Sequence, residues 1–161
     1  GKGEREYLAQ PYHDDILNIR KQIEDVTKTV FEVCFLNRYL DQSDSLGWHA
    51  DDSPEMDDDR PIAIVSLGVE REIWFRQRVG TVCTNCKDRK ILHGSSMCKP
   101  GVVMGDWKEI AIYGEIQKLT LQHGSLCLMA PQMQVDWQHR IPRASFKCGE
   151  RTSLTYRGYV S

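Results

Sequence analysis

A mainly β fold with a flanking helix, closed as a sandwich or barrel, is predicted for this 161-residue chain. Three observations carry that prediction. Short apolar stretches with two-residue alternation recur from Phe31 to Tyr156, the pattern of strands that bury one face. Turn signals such as Tyr113-Gly114-Glu115 and His123-Gly124 separate them at close intervals, which favours a sandwich or barrel. A helical period stands out ahead of the first strand, so the helix packs on the outside of a sheet.

In that helix Asp14 and Asp15 serve as caps, and Ile16, Ile19 or Arg20, Ile23 and Val26 follow at three-to-four spacing. Phe31 to Tyr39 turns to β, with Phe31, Val33 and Phe35 on one face and Asn37 and Tyr39 continuing it inward. Polar groups on an inward face need a partner. Asp41 to Gly47 is a turn-rich loop, and Asp52 to Asp59, which contains Pro54, an exposed acidic one. Strands then run over Ile62 to Leu67 and Glu72 to Arg76, joined through Gly68. Beyond Lys108 come Glu109 to Tyr113, Ile116 to Leu121 and Ser125 to Met129, and a last strand covers Arg151 to Arg157.

The length bounds the chain to one domain with a core of its own. Hydrophobic residues at 40% and charged residues at 27% are ordinary for a soluble globular protein. No run of about eighteen apolar residues is present, so nothing is expected to span or enter a membrane. The opening Gly1-Lys2-Gly3-Glu4-Arg5-Glu6 has no apolar core and does not read as a secretory signal. The location expected is therefore intracellular, nucleus or cytoplasm. Six cysteines in that setting point to reduced thiols or a metal site rather than a disulfide framework. A net charge of −2 argues against strong nonspecific binding of polyanions. The acids are clustered, however: Asp51, Asp52, Glu55, Asp57, Asp58 and Asp59 stand together and leave the remaining surface net basic.

The chemistry centres on Trp48-His49-Ala50-Asp51. His and Asp two apart point the same way along an extended segment. With His139 they make two imidazoles and one carboxylate, a set that holds Fe(II) on one face and leaves the other positions open. An isolated His-x-Asp pair is a weak signal; Arg151-Thr152-Ser153-Leu154-Thr155-Tyr156-Arg157 strengthens it. Two arginines six apart share a strand face, and a guanidinium fork is what the distal carboxylate of a 2-oxo-dicarboxylate requires.

Asn37-Arg38-Tyr39, His49-Ala50-Asp51-Asp52, Ile62 to Gly68, His123-Gly124-Ser125-Leu126, Asp136-Trp137-Gln138-His139 and Arg151 to Arg157 resemble, in this order, the AlkB family. The resemblance runs from about Pro11 to Tyr159, apart from the stretch between Arg76 and about Val103. Tyr156 stands where many relatives have Phe, and Thr152-Ser153 where Val-Asn is usual.

The resemblance implies a double-stranded β-helix, or jelly roll, mainly β with flanking α. It implies Fe(II) on His49, Asp51 and His139, and 2-oxoglutarate as co-substrate on Arg151, helped by Asn37, Tyr39, Thr155 and Arg157. It implies oxidative demethylation of N-alkylated bases in DNA or RNA, with release of formaldehyde, succinate and CO2. The base would be single-stranded or flipped, because a stacked one hides its Watson–Crick edge. Asp52 and Trp48, beside the metal ligands, would border it, and the enzyme would act as a monomer. Two other functions compete: hydroxylation of a protein side chain, and a non-catalytic nucleic-acid-binding module of the same fold. Only 48 residues precede His49, where relatives carry further loops over the nucleotide; a minimal lid or a shortened chain would account for this.

Between about 77 and 104 lies a Cys-rich insertion that the resemblance does not cover. Cys83, Cys86, His93 and Cys98 form a C-x2-C-x6-H-x4-C series, able to close a tetrahedral Zn site and order a loop too small for its own core. Lys87, Arg89, Lys90 and Lys99 make it basic enough to touch a phosphate backbone. Arg140, Arg143 and Lys147 form a second basic run after His139, which beside an active site could hold a phosphate. His13 and His123 read as surface or turn residues.

Overall fold

The computed structural model describes residues 10–83 and 109–160. Helix α1 covers Asp14–Thr27. Its cap is His13, one residue ahead of the two acids: the His13 Nδ1 accepts from the Asp15 N–H at 3.3 Å. Asp14 and Asp15 fall in the first turn, where carboxylates meet the positive end of the helix. Ile23 is buried and Ile16 and Ile19 pack beside it. Val26, at the edge of that stripe in the last turn, is 75% exposed.

Among the described residues nine strands follow: β1 Val33–Tyr39, β2 Leu46–His49, β3 Ile62–Gly68, β4 Arg71–Cys83, β5 Glu109–Tyr113, β6 Gln117–Leu121, β7 Ser125–Met129, β8 Trp137–Ile141 and β9 Arg151–Arg157. A one-turn helix, α2 Met133–Asp136, leads into β8. All pairings are antiparallel. One sheet has the order β1-β9-β3-β7. The other runs β2-β8-β4, with the first half of β4 paired to β6 and the second half to β5. The two curled sheets form the jelly roll. Strand β4 is longer than the sequence suggests, because residues 77–83 stay extended, Gln77 paired with β8 and Arg78 to Cys83 with β5. Among the described residues no helix is long and apolar enough to cross a membrane.

Alternation along β3 sets two cores. Ile62 and Ile64 face the space between the sheets, with Tyr39, Met56, Ile73, Leu121, Met129 and Ile141. Ala63 and Val65 face outward to α1, with Phe31, Leu154 and Tyr156. Phe31 thus belongs to the helix side: it precedes β1, outside the alternation that carries Phe35 and Tyr39 inward, and its ring lies 6.3 Å from that of Tyr156. A tight link joins β3 to β4, where Gly68 has φ +99° and a Cβ would strike the Glu150 carbonyl. Only glycine fits both conditions. In the β6–β7 turn exposed His123 accepts from the Gly68 N–H at 2.9 Å, a turn role as expected.

Candidate active site

The site is built where β2, β8 and β9 turn polar side chains into the space between the sheets. On β9 the alternation places Arg151, Ser153, Thr155 and Arg157 on that inner face, along a cavity they share with Asn37, Tyr39, His49, Asp51 and His139. Leu154 and Tyr156 take the opposite face, as their spacing predicted.

His49 pairs with His139 across β2 and β8, and their rings are 4.2 Å apart. Asp51, just beyond the end of β2, reaches the same point. One donor atom from each of the three lies within 4.8 Å of the others. His49 Nε2 is 3.7 Å from Asp51 Oδ1, and His139 Nε2 is 3.8 Å from Asp51 Oδ2. The His49 Nδ1 lies 2.8 Å from the Gly47 carbonyl, to which it donates, leaving the Nε2 lone pair free for a metal. Burial, with the His49 and Arg157 charges adding to it, pushes the His139 imidazole down to about 3, so it stands neutral with a lone pair.

Asp51 is fixed from two sides. Its backbone N–H donates to Gln134 Oε1 at 2.9 Å, and Arg157 Nη2 donates to its Oδ1 at 2.7 Å. Its Oδ2 is buried with no hydrogen-bond partner. A buried carboxylate oxygen left unpaired is costly, and a cation between Asp51 and the two imidazoles removes that cost. Two imidazoles and one carboxylate are suited to a first-row divalent metal with open positions. The residues fit the metal.

Arg151 is 0% exposed. Its Nε donates to Ser66 Oγ at 2.8 Å, its Nη2 reaches Ser153 Oγ at 3.5 Å, and the Tyr39 ring lies beneath it at 5.2 Å. Its Nη1 has no partner, and among the described residues no carboxylate pairs with it. Burial, with Arg71 nearby adding to it, lowers its pKa. A buried guanidinium in this setting calls for a negative partner.

Asp52 lines a second cavity of about 180 Å³ with Arg78, Gln134 and Trp137. Trp48 stands on the other face of its strand from His49, in neither cavity, between Arg76 and Arg140. Cys83 closes β4, whereas Cys86, His93 and Cys98 lie outside the described residues. Cys34, Cys127 and Cys148 are free thiols.

Sequence reasoning missed the residues that position the site. Ser66 carried a signal, since it follows Ile62 and Ile64 on the inward face of β3. Gln134 carried none, because a one-turn helix has no period. Arg71 is 3% exposed and donates to the carbonyls of Asp41, Asp44 and Pro142, tying two loops together beside Tyr39.

A jelly roll whose interior holds two imidazoles, one carboxylate and a buried arginine with no carboxylate partner among the described residues has the make-up of the non-haem iron oxygenases that use a 2-oxo acid. The family comparison agrees: the 2OG-Fe(II) oxygenase superfamily matches residues 4–157. The chain belongs to this superfamily and, within it, to the AlkB family.

It is 30% identical to the alpha-ketoglutarate-dependent dioxygenase alkB homolog 3 of Bos taurus, over 91% of this chain and 43% of the relative. It is 32% identical to the DNA oxidative demethylase ALKBH2 of Arabidopsis thaliana, over 89% and 44%. To the human DNA oxidative demethylase ALKBH2 the identity is 30%, over 92% and 47%. The chain spans less than half the length of these relatives. Family and site together support Fe(II) and 2-oxoglutarate as the cofactor pair.

Proposed function

We propose that the chain is the catalytic domain of an Fe(II)- and 2-oxoglutarate-dependent dioxygenase that removes N-alkyl groups from bases in DNA or RNA. The observation that carries this reading is Arg151, a fully buried guanidinium with no carboxylate partner among the described residues, on the strand face that also holds Arg157 and looks onto His49, Asp51 and His139. His49, Asp51 and His139 hold the iron. Arg151 takes the distal carboxylate of 2-oxoglutarate, and Asn37, Tyr39 and Thr155 line its cavity. Arg157 holds Asp51 in place through its 2.7 Å contact and completes the wall. With O2, the bound pair supplies oxidation of an N-methyl group, 2-oxoglutarate leaving as succinate and CO2, and the resulting hemiaminal collapses to formaldehyde and free base.

The cavity beside Asp52 is where the base would enter. Its walls are polar and acidic, suited to the exocyclic amino edge of an adenine or cytosine. An edge inside a duplex is hidden, so the substrate is single-stranded or flipped. The test is mass spectrometry of methylated oligonucleotides after incubation with Fe(II), 2-oxoglutarate and ascorbate. Loss of the methyl mass is expected from 1-methyladenine or 3-methylcytosine. No loss from any methylated base would overturn the substrate assignment.

We further propose that Cys83, Cys86, His93 and Cys98 bind zinc. Supporting this, β4 and β5 pair Cys83 with Glu109, so the segment between them is closed at its base. A closed loop with four thiolate and imidazole groups at short spacing fits a tetrahedral site. Purified protein should then hold about one zinc per chain beyond its iron. Zinc-free protein under reducing conditions, with those thiols freely reactive, would refute it.

A further inference from the structure

The outer face of the β2-β8-β4 sheet carries a continuous row of alternating aromatic rings and cations. The Arg76 guanidinium carbon lies 3.6 Å from the Tyr113 ring centroid and 4.3 Å from that of Trp48. On the other side of the row, Arg140 lies 5.3 Å from Trp48 and 4.4 Å from Trp74. Lys118 Nζ, on β6, ends the row 4.3 Å from Trp74. The strand register produces this alignment: Trp74 pairs with Arg140 on one edge and Lys118 on the other, and Arg76 pairs with Gln138.

Stacking occupies the faces of a guanidinium and leaves its in-plane N–H groups free. Arg76 uses Nε and Nη2 on a single acceptor, Gln138 Oε1, at 3.1 and 2.6 Å. Arg140 Nε is buried with no partner. Among the described residues neither arginine nor Lys118 has a carboxylate partner. The acid that shares this face, Glu72, accepts from the Trp74 indole N–H at 2.8 Å. With three cations to one acid among the described residues, the row is a pre-positioned, net positive strip on a chain whose net charge is −2.

We infer that this strip binds the phosphodiester backbone of a single-stranded nucleic acid, an inference that rests on the dealkylase reading for its link to turnover. Charge complementarity and continuity select this occupant. Gln138, which takes the Arg76 donors, also lines the cavity beside Asp52, where Asp58 and Asp136 stand too. Those acids repel phosphate and suit a base edge. The acidic cavity takes the base, and the basic strip beside it takes the backbone that carries the base. Stacked arginines lose little freedom on binding, and their planar forks match phosphate oxygens.

The test compares the parent with Arg140→Gln/Lys118→Gln in two assays. In the first, fluorescence anisotropy measures binding of unmodified oligothymidylate and oligouridylate over a salt series. Each lost phosphate contact on a single strand lowers the log–log salt slope by about 0.7, so the double variant should lose about 1.4, with affinity falling about tenfold at moderate salt. Arg140→Lys should keep the parent slope, which separates lost charge from lost packing. If the double variant does not fold, exposed Lys118→Gln alone should still lose about 0.7.

In the second assay, succinate formation with a methylated nucleoside, which has no backbone to place, should be unchanged in the variants. An unchanged salt slope in a folded variant, or a parent that binds neither oligonucleotide, overturns the strip. A parent that demethylates nothing, but whose oligonucleotide affinity still falls in the variants, keeps the strip and overturns the dealkylase reading alone.

Discussion

Replacing His139 with alanine is expected to abolish 2-oxoglutarate turnover and leave the fold intact. His139 is buried, 6% exposed, with the Phe75 and His49 rings tilted against it. Two neighbours on β4 and β2 hold its strand by pairing that does not depend on the imidazole. Loss of a group that merely orients a metal ligand costs about 10–100-fold. Loss of the ligand itself should exceed a hundredfold. Succinate formation in the variant, measured beside an unchanged far-ultraviolet circular dichroism spectrum, checks this. Succinate at the parent rate would remove His139 from the metal site.

Arg151→Lys should weaken 2-oxoglutarate about ten- to a hundred-fold while iron binding survives. Lysine keeps the charge but has no fork, and it cannot donate to Ser66 and still present two parallel N–H groups to a carboxylate. A hydrogen bond to a charged group contributes about 1.5–3 kcal/mol, which sets that range. Anaerobic titration of 2-oxoglutarate into the Fe(II)-loaded variant measures it. An unchanged dissociation constant would take Arg151 out of the pocket and move the anchoring role to Arg157. The present geometry argues against that exchange, because Arg157 is already committed to Asp51 at 2.7 Å and to the Phe35 ring at 4.4 Å.

Strand β9 was legible because its alternation is unbroken. Arg151 and Arg157 were placed on one face, and Leu154 and Tyr156 on the other, by period two alone. The His49–Asp51 pair was legible as convergent, although β2 ends at His49 and its register with β8 is irregular between Leu46 and His49. What local pattern could not reveal was long-range choice of partner. Gln134 holds the Asp51 N–H from 83 residues away, and nothing near Gln134 marks it for that task. Trp48 was read as a neighbour of the substrate because it adjoins His49. The pleat sends it to the opposite side, where two arginines enclose it. Nothing in the local pattern marks Arg71, which stands just ahead of the strand expected over Glu72 to Arg76. It is buried because three backbone carbonyls of two loops converge on it, a property of the tertiary fold.

The central claim is that oxidation at this site is spent on N-methyl groups of nucleic-acid bases. Its most direct test counts products in one reaction: succinate, formaldehyde and demethylated base, from an oligonucleotide carrying a single 1-methyladenine or 3-methylcytosine. The three are expected in equal amounts, with succinate formation falling when the methyl group is absent. Succinate formed at the same rate with methylated and unmethylated oligonucleotides, without formaldehyde, would contradict it and turn attention to a protein side chain as substrate.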